Sequence, residues 1–192
     1  MGWAVLARPL SAQVIMAKKT ISPGQQRVRD SFKIAVAFLG PLQGLVKRGY
    51  GELARRKKSL AAGLALGHTL QAAIKLRPQG PVVDPALVRL SDGSLPGIRM
   101  ERLIRHPDRF ELVHDGFSDA LFSADDRLIL CAYQVEKGYA FVNERIWQRR
   151  EGRVVVPIPE GFRSDGFHLY VLLSDRKELR YARSTYLGYS TV

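Results

Sequence analysis

Arg77-Pro78-Gln79-Gly80-Pro81 is where the chain changes texture, and the reading of its two sides decides the fold. Two prolines and a glycine within five residues remove amide donors and loosen the backbone, so neither a helix nor a strand is expected to run through them. The stretch reads as a linker. It divides the chain into a helical region over 21–80, preceded by an extended arm over 1–20, and a β region over 81–192.

On the amino-terminal side the apolar residues recur at helical spacing. Ser22-Pro23-Gly24-Gln25 offers an N-cap serine, a proline at the first helical position and a glutamine placed to close a capping box. Val28, Phe32, Ala35, Val36 and Leu39 then form one apolar stripe, which predicts a helix buried along that side, with both Phe32 and Phe38 in the core. Gly40-Pro41 breaks or kinks it. Leu42, Leu45 and Val46 continue the pattern to Gly49-Tyr50-Gly51, and a third helix is expected from Glu52 to Ile74. On the carboxy-terminal side short apolar runs alternate with turn residues. The runs are Leu87 to Leu90, Ile98 to Ile104, Arg109 to His114, Leu128 to Val135, Ala140 to Ile146, Arg153 to Ile158, Phe167 to Leu173 and Leu179 to Tyr186. This spacing predicts an antiparallel, immunoglobulin-like β-sandwich. The fold class is therefore α+β, with helices first and the sandwich after.

Charge follows the same division. Residues 1–80 carry fourteen Lys and Arg against only Asp30 and Glu52, which is the whole formal charge of +12, while residues 81–192 balance sixteen of each sign. Such segregation points to an anionic partner: nucleic acid, a phospholipid surface, or an acidic patch on a protein or neighbouring subunit. The candidate contacts are Lys18, Lys19, Arg27, Arg29, Lys47, Arg48, Arg55, Arg56, Lys57, Lys58, Lys75 and Arg77. The tetrad Arg55 to Lys58 reads equally as a solvated helix face, and its composition also suits a nuclear localisation signal.

Three stretches give the chain a likeness to other proteins. They are Gln25-Gln26-Arg27 leading through Ser31-Phe32-Lys33-Ile34-Ala35-Val36-Ala37-Phe38-Leu39 into Gly40-Pro41-Leu42, then Val88-Arg89-Leu90-Ser91-Asp92-Gly93-Ser94-Leu95-Pro96-Gly97, and finally Ser184-Thr185-Tyr186-Leu187-Gly188. Through them the chain resembles an uncharacterised family of small basic proteins from Bacteroidota bacteria. Members of that family open with a glycine-rich segment and an aromatic-basic motif, to which only Gly2-Trp3 and Arg8-Pro9 correspond here. The resemblance implies a helical start and an immunoglobulin-like end, and it assigns no activity and no functional residues.

Residue groupings for chemistry are missing from the sequence. His68, His106, His114 and His168 are scattered, and none stands at metal-ligand spacing from another histidine or from Cys131. Glu111 with His114, and Asp165 with His168, are three apart, which on a strand sends the two side chains to opposite faces. Phosphate-loop, nucleophile-elbow and dinucleotide motifs are not found. Cys131 lies in an apolar run and reads as a small buried hydrophobe. No catalytic residue, metal or cofactor is expected.

No stretch reaches the roughly twenty apolar residues of a membrane span, and the opening run lacks a charged start and a cleavage site. A cytoplasmic or virion-associated protein is the expectation. Its function reads as a non-enzymatic structural or interaction protein that self-assembles as a homo-oligomer, such as a filament, virion or surface scaffold subunit. Val5-Leu6 and Val14-Ile15-Met16 could add a strand to a neighbour or form an ordinary edge strand of their own domain. The alternative is nucleic-acid binding through the basic third.

Overall fold

The computed structural model describes residues 21–115 and 124–191. The arm expected over 1–20, with Lys18 and Lys19, lies outside the described residues. Ser22 opens helix α1 (Pro23–Leu39): its Oγ accepts from the Gln25 amide at 3.2 Å, and Gln25 Oε1 accepts from the Ser22 amide at 3.1 Å. This is the capping box expected from the sequence. Gly40-Pro41 kinks the chain without stopping it, as a 3-10 turn over Gly40–Leu42 leads into α2 (Gln43–Gly49) and then α3 (Gly51–Lys57).

The single helix expected over 52–74 is instead two. Lys58 turns left-handed at φ 49° and ends α3, and α4 (Ala61–His68) begins after an extended Leu60. Thr69 then donates its hydroxyl back to the Ala65 carbonyl at 2.9 Å. That bond competes with the helix ladder where the chain widens into a π turn over Thr69–Ala73, and Ile74 is already extended. The supposed linker is the turn of a hairpin, β1 (Ile74–Arg77) with β2 (Gly80–Val83), in which Arg77 pairs with Gly80. Gly80 sits at φ 122°, where a side chain would be strained.

Strands β3 (Met100–Arg105), β4 (Arg109–His114), β5 (Arg127–Gln134), β6 (Tyr139–Val142), β7 (Trp147–Gln148), β8 (Arg153–Pro157), β9 (Phe167–Ser174) and β10 (Thr185–Ser190) follow. They make a five-stranded sheet, ordered β10-β9-β5-β6 with β7 also on β5, and a three-stranded sheet ordered β3-β4-β8. Every ladder between these strands is antiparallel. The fold is α+β. The run expected as a strand at Leu87 to Leu90 is a 3-10 turn over Pro85–Leu87 and a segment without a ladder, and Leu179 to Tyr186 yields only bridges before β10 begins.

The five-stranded sheet is covered on both faces. From β5, Leu128, Leu130 and Ala132 meet Phe110, Leu112, Val154 and Val156 of the other sheet. Cys131 and Tyr133, which alternate with them, meet Phe38, Leu42, Leu45 and Val46 of the helical layer. Strand β9 does the same, with Phe167, Leu169, Val171 and Leu173 on one side and Tyr170 and Leu172 on the other. Tyrosines on the helix side keep their hydroxyls bonded: Tyr133 donates to the Phe38 carbonyl at 2.9 Å and Tyr170 to the Pro85 carbonyl at 2.8 Å. Replacing Tyr133 with Phe should lower stability by about 1 kcal/mol by leaving that buried carbonyl without its donor. The urea midpoint should fall while the slope of the transition holds.

A polar clamp closes the β5–β6 hairpin against the loop before β9. Asp165 accepts from Lys137 Nζ at 2.6 and 2.8 Å and from the Tyr139 hydroxyl. The bond from Lys137, then that from Tyr139, holds the Asp165 carboxyl below the ordinary aspartate range. A depressed carboxyl stabilises the fold above its unfolded pKa of about 3.9, and that contribution is lost as pH falls below it. Asp165→Asn should therefore unfold more easily than the unmodified protein at neutral pH, and the gap in urea midpoint should close below about pH 4.

Candidate docking face

Helix α1 meets its neighbours with only part of its apolar arc. Ala35, Phe38 and Leu39 are buried against the sheet side, whereas Val28, Phe32 and Val36 stay 70%, 50% and 46% exposed. The stripe read from the sequence as core is thus divided, and Phe32 is a surface residue. These three lie four residues apart, on one ridge of the helix. A shallow groove beside the ridge brings Val28 and Phe32 together with Leu70, Ile74 and Leu76, the last from β1. A second groove joins Val36 to Ala62 and Leu66 of α4. Leu76 is 65% exposed, and Leu60, just before α4, is 79% exposed. Covering a side chain of this kind gains on the order of 1–2 kcal/mol, so a partner that buried three of them would gain a binding energy worth measuring.

Cations border this apolar ground along α1, where Arg27 and Arg29 flank Val28 and Lys33 follows Phe32; on β1, Lys75 and Arg77 alternate with Leu76 and so turn to the opposite face of the strand. Lys33 was not among the sequence-based candidates, and its position beside Phe32 is what brings it in. Arg27 itself lines the first groove. Lys47 lies with Arg48 in the last turn of α2, and Arg55, Arg56 and Lys57 lie in the last turn of α3, with Lys58 at its cap.

The candidates do two kinds of work. Arg48 stands 3.5 Å from Glu178, which also pairs with Arg127 at 2.8 Å, and Arg55 donates to the Leu179 carbonyl at 2.8 Å. Both tie the helical layer to the loop between β9 and β10. Lys75 lies 3.9 Å from Asp84, a weak exposed pair. Arg27, Arg29, Lys33, Lys47, Arg56, Lys57, Lys58 and Arg77 are exposed and make no ion pair among the described residues. Of the two acids in this region, Asp30 accepts from Gln26, and Glu52 accepts from the Ser94 amide at 3.1 Å.

The titratable residues singled out in the β region are held apart or inside. Glu111 pairs with His106 and Arg153 while His114 is buried on the other side of β4. Asp165 belongs to the clamp, and His168 meets the Tyr186 hydroxyl at 2.9 Å. Burial pushes the Cys131 thiol up to about 12, so it stays protonated and unreactive at neutral pH. Among the described residues, no three of His, Cys, Asp and Glu gather as a metal site would require. No helix among them is long and apolar enough to cross a membrane.

Comparison of the chain with protein-family models, with curated proteins and with solved structures finds no match. The fold and this face define it as an α+β protein with a cationic, partly apolar helical layer.

The two kinds of cation should separate on mutation. Arg55→Ala should cost about 1 kcal/mol by removing a charge-assisted bond to a backbone carbonyl, whereas Arg56→Ala should fall within about 0.5 kcal/mol of the unmodified protein. Chemical denaturation of the two variants side by side checks this.

Proposed function

We propose that this is a non-enzymatic interaction protein that docks its β body onto an anionic partner surface through the outer face of α1 and the β1–β2 hairpin. The observation that carries the proposal is the exposure of Val28, Phe32 and Leu76 together, with Arg27, Arg29 and Lys33 beside them on α1 and without an ion pair among the described residues. Solvated charge alone needs no partner, and scattered apolar side chains need none either. Their combination on one face suits an occupant that offers both negative charge and apolar cover.

The β body fits the role of a rigid carrier. Its order, β3-β4-β8 facing β10-β9-β5-β6, supports an immunoglobulin-like sandwich in which β6 takes the additional C′ place. Self-assembly by strand addition, the first expectation from the sequence, has less support. Outer strand β3 carries a register shift between Met100 and Arg102, outer strand β10 carries one between Tyr186 and Gly188, and such irregularities blunt an edge against further pairing. Nucleic-acid binding remains the second reading, favoured by Arg56, Lys57 and Lys58, which are exposed at the end of α3.

Lysine acylation in cells that express the protein tests the docking reading. Lys33 should be protected severalfold relative to the purified protein, whereas Lys177, exposed in the β body, should label equally in both. Equal labelling of Lys33 in cells and in isolation would remove the basis for a docking face.

A further inference from the structure

We infer that the surface this face meets is an anionic lipid bilayer, with Val28, Phe32 and Leu76 entering the headgroup boundary and the neighbouring Arg and Lys meeting lipid phosphates. The inference rests on the docking reading above and names its partner. Charge complementarity narrows the choice. The amino-terminal stretch over residues 1–20 carries Arg8, Lys18 and Lys19 and no acid, so it matches the face in sign and does not complement it. A second copy laid on the same face would set Arg29 and Lys33 against equally cationic ground. Duplex nucleic acid would satisfy the cations and leave the apolar side chains uncovered, since its outer surface is phosphate and sugar.

A bilayer surface accepts both components. Apolar side chains at the interface gain by leaving water, and Lys and Arg keep their charge at headgroup level while their stems lie along apolar surface. The sequence order on the exposed elements matches that need. Arg27-Val28-Arg29 and Phe32-Lys33 each put an exposed apolar side chain of α1 next to a cation. Because α1 lies against the sheet with Ala35, Phe38 and Leu39, it would lie in the plane of the membrane and not across it.

Sedimentation of the full chain with phosphatidylcholine vesicles, with and without a one-quarter share of phosphatidylglycerol, tests this. Binding is expected to the mixed vesicles only, and to weaken as salt is raised. Phe32→Ser should weaken the partitioning by about tenfold, and Arg29→Gln with Lys33→Gln should weaken it by a similar factor. Arg176→Gln with Lys177→Gln in the β body should leave it unchanged. These positions are exposed, and thermal melts matching the unmodified protein establish that each variant is folded. Equal binding by Phe32→Ser, with comparable affinity for a duplex oligonucleotide, would overturn the inference in favour of a purely electrostatic, nucleic-acid contact. Absence of vesicle binding, with Lys33 still protected in cells, would overturn it in favour of an acidic protein partner and leave the docking reading standing. Absence of both would remove the two together.

Discussion

The antiparallel pairing of β5 with β9 is the constraint on which the rest depends. From Arg127 opposite Ser174 to Tyr133 opposite His168, this ladder forms the middle of the five-stranded sheet. Both of its faces carry large apolar side chains, and neither face can be left in water. One is covered by β4 and β8 and the other by α1, α2 and α4. The two β-sheets by themselves would have exposed Tyr133, Tyr170 and Leu172, so the helical region is the further layer that this sheet requires.

The layers are fastened along a narrow seam. Residues 88–94 run without a ladder between α2, α3 and the loop leading into β10. Ser184 Oγ accepts from the Leu90 amide at 2.8 Å, Ser91 donates to the Ala182 carbonyl at 2.7 Å, and Glu52 accepts from the Ser94 amide. Gly49 lies so close that a Cβ there would stand 2.5 Å from the Leu90 carbonyl oxygen, so this glycine serves close approach and not a turn. Helix, seam and loop therefore hold one another in register. Arg48 and Arg55 add their bonds to the same loop, which is why two cations that looked free in the sequence belong to the scaffold.

The outer face is what remains after the sheet is covered. Helix α1 carries more apolar surface than its neighbours can take up, and Val28, Phe32 and Val36 are the surplus. Periodicity reports the width of an apolar arc on a helix, not which part of that arc finds a neighbour. That is why Phe32 and Phe38 read alike in the sequence and end on different sides, and why Lys33 gained its place only from the geometry.

Much of the architecture was legible because it rests on short-range chemistry. The Ser22 cap, the strand runs that became β4, β5, β8 and β9, the burial of Cys131 and the segregation of charge follow from residue type and spacing alone. Tertiary structure decided the rest: that Arg77 to Pro81 turns a hairpin, that the third helix divides at Lys58, that one sheet is sealed on both faces, and which cations are tied down. The physical reason is range. Caps, turns and alternation act over a few residues, whereas the exposure of Phe32 and the engagement of Arg55 depend on which distant segment, such as the Leu179 loop, packs beside them.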